Sequence, residues 1–384
     1  MGSGNEEGRL RPRPLEVGMT VSEFLERAFL GSTARQLATA AGLLVREVLR
    51  DPETVVGLSL DAEILAGGAG VASLAPLLRG GYIDWAAVTG ENLYYDTLYA
   101  LGTPFYQVAQ APPPPCEDCG GGIVLRSGDH AAGEHSLREI FAGVDFQHVM
   151  GSAEMHDRIG SHLRAREKAV GVDYPSLVTT AHEAGVPLFD PAPVDNALGS
   201  LMARLELVGN RLAVDPSADL NHAAAILNSA FARGASCAVW CLGRGAASNF
   251  ALNLPRHLAA LVGQERAPGY RARIRMAGRS HPLPSIDEAF APGGKPAEPQ
   301  GTGETPPPAT ESGPPSTGGN DAGGAAATVD LAVSTDLSVA LPLLTAYILD
   351  RVPPRPPKRL GGRRSEMLDR LRQDHAQALL RRPV

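Results

Sequence analysis

Apolar positions along this chain follow two alternating rhythms. Between residues 21 and 49, Phe24, Leu25, Ala28, Phe29, Leu37, Ala41, Leu44, Val45 and Val48 fall at helical spacing, which predicts one or two amphipathic helices. Val55-Val56-Gly57-Leu58-Ser59-Leu60 is a short apolar run and reads as a buried strand. The turn Gly67-Gly68-Ala69-Gly70 then leads into a helical pattern over 71–78. Residues 82–88 repeat the strand signal, Thr89-Gly90-Glu91-Asn92 forms a turn, and 93–101 is helical. After an irregular stretch the alternation resumes with a helix at 175–184, a strand at 186–189, a loop holding Asp195 and a helix at 198–207. Residues 218–233 read as helix, 235–242 as strand, 246–262 as helix and 270–276 as a strand interrupted by arginines. A last strand at 329–333 precedes an apolar helix at 337–349. Strand-helix units in succession predict an α/β fold: a doubly wound, Rossmann-like parallel sheet with helices on both faces.

The same pattern divides the chain. Residues 1–15 are rich in Gly, Glu, Arg and Pro and are expected to be disordered, and 16–291 hold the α/β domain. Residues 292–328, dominated by Pro, Gly, Thr, Ser and Ala, have too little apolar surface to offset chain entropy and are expected to form a disordered insertion. Residues 329–350 supply the closing strand and helix of the same domain. The basic tail, 351–384, carries Met367, Leu368, Leu371, Ala378 and Leu379 at spacing that suggests an amphipathic packing helix, with acidic-partner or RNA binding through its arginines as the alternative.

Composition narrows the function classes. With 384 residues, 43% of them hydrophobic, the chain can bury a large core. A net charge of -7 argues against nucleic acid as the main partner. No run reaches the ~20 apolar residues of a membrane span, and the polar start lacks a signal-peptide pattern, so a cytoplasmic protein is expected. Cys116 and Cys119 have CxxC spacing and could form half of a zinc site. The other two cysteines, Cys237 and Cys241, fall in an apolar run that reads as buried, so no metal is expected.

In an open α/β sheet, ligands bind at the carboxyl ends of the strands. The loops there contain Asp61 and Glu63, the Thr89-Gly90-Glu91-Asn92 turn, Asp195 and Asn196, Gly243-Arg244-Gly245, and Asp336. Small residues admit a cofactor to the backbone, and carboxylates suit ribose hydroxyls or amines. By spacing alone these positions equally suit turns and helix caps, Asp195 and Asp336 among the caps.

Four segments together resemble deoxyhypusine synthases. These are Gly81-Tyr82-Ile83-Asp84 with Val88-Thr89-Gly90-Glu91-Asn92-Leu93-Tyr94-Tyr95-Asp96; Pro191-Ala192-Pro193-Val194-Asp195-Asn196-Ala197-Leu198-Gly199; Leu242-Gly243-Arg244-Gly245 with Asn249 and Asn253; and Thr335-Asp336-Leu337-Ser338 with Leu341-Pro342-Leu343-Leu344. They occur in the family's order across roughly residues 15–350. The resemblance implies a homotetramer with NAD bound at subunit interfaces. It also implies transfer of an aminobutyl group from spermidine, through an imine on an active-site lysine, to a lysine-bearing acceptor protein.

It assigns NAD contacts to Thr89, Asp195, Gly243, Gly245 and Asp336, and polyamine contacts to Asn253 and Asn249. The family's Asp-Glu-Ala-Val-Ser-Trp-Gly-Lys segment is similar to 287–295 with one extra residue, giving Glu288 the acidic role and Lys295 the nucleophilic one. The chain departs from the family at Glu63 and Ala66, where Asn and Ser are expected. It departs again at Ser200, where an acid is expected, and at Asn249, where a histidine is expected. Three functions remain open on this reading: deoxyhypusine-type transfer, homospermidine-type transfer to a free amine, and a non-catalytic NAD-binding or assembly module.

Overall fold

The computed structural model describes residues 10, 12–111, 115–278 and 329–381. Six parallel strands form its central sheet: β1 (Val55–Leu60), β2 (Trp85–Val88), β3 (Leu188–Phe189), β4 (Cys237–Leu242), β5 (Ala272–Ala277) and β6 (Val329–Ser334). Their spatial order is β6-β5-β4-β1-β2-β3. The order therefore reverses between β1 and β4, the doubly wound arrangement in which a crevice opens at the carboxyl ends of those two strands.

Strand period two sorts the core into two layers. Val56, Leu58, Leu60, Val88, Trp240, Leu242, Ile274 and Met276 pack on one face. Val55, Trp85, Ala87, Phe189, Val239 and Cys241 pack on the other. Gly57 lies opposite Trp85 in the register, and a methyl group at Gly57 would run into the indole ring. The glycine in this fully buried strand thus makes room for the Trp85 indole.

The stretch 102–174, irregular by apolar pattern, holds regular elements among its described residues. It contains a three-stranded antiparallel sheet (Phe105–Gln107, Cys116–Asp118, Ile123–Arg126) and helices Ser127–Ala142 and Ser152–Val170. Its helices bury only a narrow stripe, Leu137 and Phe141 on one and Met155, Ile159 and Leu163 on the other, amid many charged residues. So sparse a stripe gives a weak periodic signal.

The tail packs back onto the domain. Helix Arg364–Arg381 lies against helices Pro216–Ala232 and Ala246–Val262. Met367 and Leu371 enter the core, and Asp374 accepts hydrogen bonds from Asn228 (2.8 Å) and Arg266 (2.7 Å). No helix among the described residues is long and apolar enough to cross a membrane.

Buried His156 makes folding sensitive to acid. It is 1% exposed, its Nδ1 lies 3.3 Å from the Leu188 carbonyl, and its Nε2 has no hydrogen-bond partner. Burial pushes its pKa down from 6.5 to about 4. Below 6.5 the unfolded chain therefore binds the extra proton, and stability present above that pH is lost as pH falls toward 4. On the order of 3 kcal/mol is at stake. His156→Gln is expected to remove this dependence; denaturation curves of the two proteins that stay parallel over this range would contradict it.

Candidate active site

The first loop, 61–69, is held between two strand ends. Asp61 reaches the amino terminus of helix Ala246–Val262, where its carboxylate accepts the backbone N–H groups of Ala247 and Ser248, each at 2.9 Å, and the Ser248 hydroxyl. A Cβ on Gly243 would lie 2.9 Å from the Ala62 nitrogen, and one on Gly245 would lie 2.6 Å from an Asp61 carboxylate oxygen. Gly243 also has φ of 99°. These two glycines admit the protein's own Asp61 loop. Burial raises the Asp61 carboxyl pKa, and the three hydrogen bonds pull it the other way.

Asn92 ties the same loop to the second strand end. Its Oδ1 accepts the N–H groups of Ile64 (3.2 Å) and Leu65 (3.1 Å), while Nδ2 donates to the Ala62 carbonyl (2.9 Å) and the Thr89 hydroxyl (2.8 Å). Thr89 is half-buried at the start of helix Gly90–Ala100. At the third strand end, Asn196 caps helix Ala197–Glu206 through the Gly199 N–H (3.1 Å) and donates to Asp190 (3.0 Å). A side chain at Gly90 would collide with Asn196 and Asp190, so glycine there lets these loops meet. Burial drives the Asp190 carboxyl up to about 6. Its neighbours Asp195 and Ser200 are exposed.

On the other side, Asp336 caps helix Leu337–Arg351, accepting the Ser338 N–H (2.8 Å) and hydroxyl (2.7 Å). Those bonds hold its carboxyl below the ordinary range. Asp336, Thr335, Glu63, Ala62 and Gly278 line an open cleft of about 590 Å³. Asn249 and Asn253 are exposed on helix Ala246–Val262. Glu288 and Lys295 lie outside the described residues. Gly278, the last described residue before them, is in the wall of the cleft.

The antiparallel insertion also reaches this end of the sheet. Its glycine turn brings Gly120 close to Glu63: a Cβ there would lie 3.9 Å from the carboxylate. Beside it the Tyr94 hydroxyl is 2.6 Å from His130 Nε2, and His130 Nδ1 is 2.6 Å from Glu117. This Tyr-His-Glu chain has no local sequence signature, because its members come from three separate elements. Cys119 is buried and its thiol is pushed up to about 11, chiefly by burial. No group of three or more His, Cys, Asp or Glu among the described residues could hold a metal ion.

Residues 23–267 match the deoxyhypusine synthase family model. The chain belongs to the deoxyhypusine synthase family. It is 33% identical to a deoxyhypusine synthase-like protein of Nostoc sp., over 96% of this chain and 92% of that one. It is 32% identical to one from Thermosynechococcus vestitus, over 98% and 90% respectively. A Methanosarcina acetivorans protein assigned as deoxyhypusine synthase 1 is 31% identical, over 61% of this chain and 71% of that one. In structure the chain is similar to a protein from Entamoeba histolytica assigned to the same activity, with a TM-score of 0.54 at 12% identity over 90% of this chain and 99% of the other. That likeness concerns the fold.

For a dinucleotide this end of the sheet offers the carboxylates Glu63 and Asp336 on an open cleft, which suit ribose hydroxyls. The amino terminus of helix Ala246–Val262, where such folds commonly seat a diphosphate, is filled by Asp61. The residues present would therefore hold a nucleotide through its ribose hydroxyls, with that helix terminus already taken by Asp61.

Proposed function

We propose that this deoxyhypusine-synthase-like chain is an NAD-dependent transferase, moving an aminobutyl group from spermidine or a related polyamine to a protein lysine or a free amine. The observation that carries the reading is the cleft lined by Glu63 and Asp336, with Gly278 in its wall. The family is generally NAD-dependent, and bound NAD would supply the hydride acceptor. Glu63 and Asp336 would hold ribose hydroxyls, with Thr89 and Asp195 contributing from neighbouring strand ends.

Oxidation next to an amine nitrogen makes that carbon electrophilic. Lys295, once deprotonated, adds to it, and loss of diaminopropane leaves a butylamine imine on Lys295. Glu288 would pair with the ammonium of the substrate. Ser200 and Asn249 supply neither the charge nor the titratable proton of the family residues they replace, so the site is altered on its polyamine side. The active form would be the family's homotetramer, working as a cytoplasmic enzyme with a polyamine as its partner.

Incubating the full chain with NAD and spermidine, then adding borohydride, is expected to leave a stable butylamine adduct. Peptide mapping by mass spectrometry should place it on Lys295. An unmodified protein beside a labelled positive-control enzyme would sink the transfer reading and favour a non-catalytic relative.

A further inference from the structure

A second cavity, of about 340 Å³, opens on the far side of the first loop, which contributes Leu65 and Ala66 to it. Val71, Phe105 and Ile123 add apolar wall, and Asp96 lines the same space. Asp96 is 3% exposed. Its two oxygens accept the N–H groups of Leu177 (3.0 Å) and Val178 (2.8 Å) at the start of helix Leu177–Ala184. Gly70 leaves room for it: a Cβ there would lie 2.8 Å from Asp96 Oδ1.

This carboxylate lacks a cation. Among the described residues no basic side chain forms an ion pair with Asp96, and the charged group acting on it is a second buried carboxylate, Glu167. Buried carboxylates are ordinarily compensated by an opposite charge, and hydrogen bonds from two amides and the Ser176 side chain stabilise the anion without neutralising it. Burial accordingly pushes Asp96 up to about 7. An arriving ammonium would relieve that penalty.

We propose that this cavity binds an aliphatic primary amine as its ammonium, with the charged head on Asp96 and the alkyl chain along Leu65, Val71, Phe105 and Ile123. An ammonium has three donors. Thr103, lining the same cavity, offers a hydroxyl acceptor for one that Asp96 does not take. The walls hold a short carbon chain and reject a second charge at its far end, since among the described residues no ionisable side chain other than Asp96, Tyr99 and Tyr106 lines them. For its role the site rests on the amine-transfer reading: a pocket behind the first loop is a place for a free acceptor amine. Its ligand binding requires neither NAD nor Lys295.

Calorimetric titration of the full chain with n-butylamine, without NAD, is expected to give saturable binding that n-butanol and butyrate do not reproduce. Asp96→Asn should weaken it by about tenfold or more, as expected for loss of a charge-assisted contact. Because Asp96 also caps a helix, Val71→Phe provides the second variant: it fills the cavity without touching the carboxylate and should abolish binding. Absence of saturable butylamine binding overturns the proposal, as does equal binding of butanol or unchanged binding in Val71→Phe. Lys295→Ala should bind butylamine as wild type does while forming no borohydride adduct, so failure of the transfer reading and failure of this site give different results.

Discussion

Replacing Lys358 by methionine will destabilise the fold by about 3–5 kcal/mol. The Asp84 carboxylate is fully buried beside β1, and the Lys358 ammonium meets it at 3.0 Å while donating also to the Thr54 carbonyl at 2.9 Å. Asp84 further accepts the Val56 N–H at 2.8 Å. Burial pushes the Asp84 carboxyl up and the Lys358 ammonium down, each toward its neutral form, so desolvation outweighs the mutual attraction of the pair. Such a pair adds little net stability, but removing one partner leaves a charge buried without compensation. Urea denaturation should show the loss, and Asp84→Leu combined with Lys358→Met should recover most of it. A loss below about 1 kcal/mol would mean that water reaches Asp84 and that the pair behaves as a surface bridge. The wider consequence concerns the tail: Tyr82 donates to the Val352 carbonyl at 2.6 Å and Arg355 donates to the Gly81 carbonyl at 2.7 Å. Together with Lys358 they make the segment after helix Leu337–Arg351 a brace for the ends of β1 and β2.

Asp61→Ala is the second substitution expected to act strongly, and it acts at the candidate site. It removes the acceptor of two helix-terminal N–H groups and of the Ser248 hydroxyl, a charge-assisted set worth roughly 2–3 kcal/mol. It also frees the loop that carries Glu63 into the cleft. Thermal unfolding should report the first effect. Hydrogen exchange should report the second as faster exchange at Ala247, Ser248 and the loop amides Ile64 and Leu65, whose remaining anchor is Asn92. On the NAD-dependent reading proposed above, NAD affinity should fall roughly tenfold, about one lost positioning contact. Asp61→Asn keeps one acceptor and should lie between the two. An unchanged midpoint with unchanged exchange would show that Ser248 and the surrounding loops hold the helix terminus without Asp61.

Much of the architecture was legible in the residues. Val55-Val56-Gly57-Leu58-Ser59-Leu60 and the apolar run ending at Leu242 became the two central strands, because a strand buried on both faces must be apolar throughout. Observed bounds moved by one to three residues at ends where turns and ladders compete, as at β2, which begins at Trp85 where the apolar run began at Tyr82. The family motifs in Thr89-Gly90-Glu91-Asn92, Pro191 to Gly199 and Gly243-Arg244-Gly245 all fall at carboxyl ends of strands, where the alternation of strand and helix had placed them.

What that alternation did not contain is which groups meet. Asp61 and Ser248 are 187 positions apart, Asp96 and Val178 are 82 apart, and Asp84 and Lys358 are 274 apart. Local periodicity specifies which face of an element is buried, because burial follows from the spacing of apolar side chains along a single helix or strand. Sequence by itself thus determined the parallel α/β sheet, its order of elements and the family to which the candidate residues point. Only the tertiary structure decided that Gly243 and Gly245 make room for Asp61, that the tail braces a buried carboxylate, and that Asp96 lines a cavity with no ion-pair partner among the described residues. Those outcomes depend on desolvation and hydrogen-bond partners supplied from distant parts of the chain, which exist only once the chain has folded.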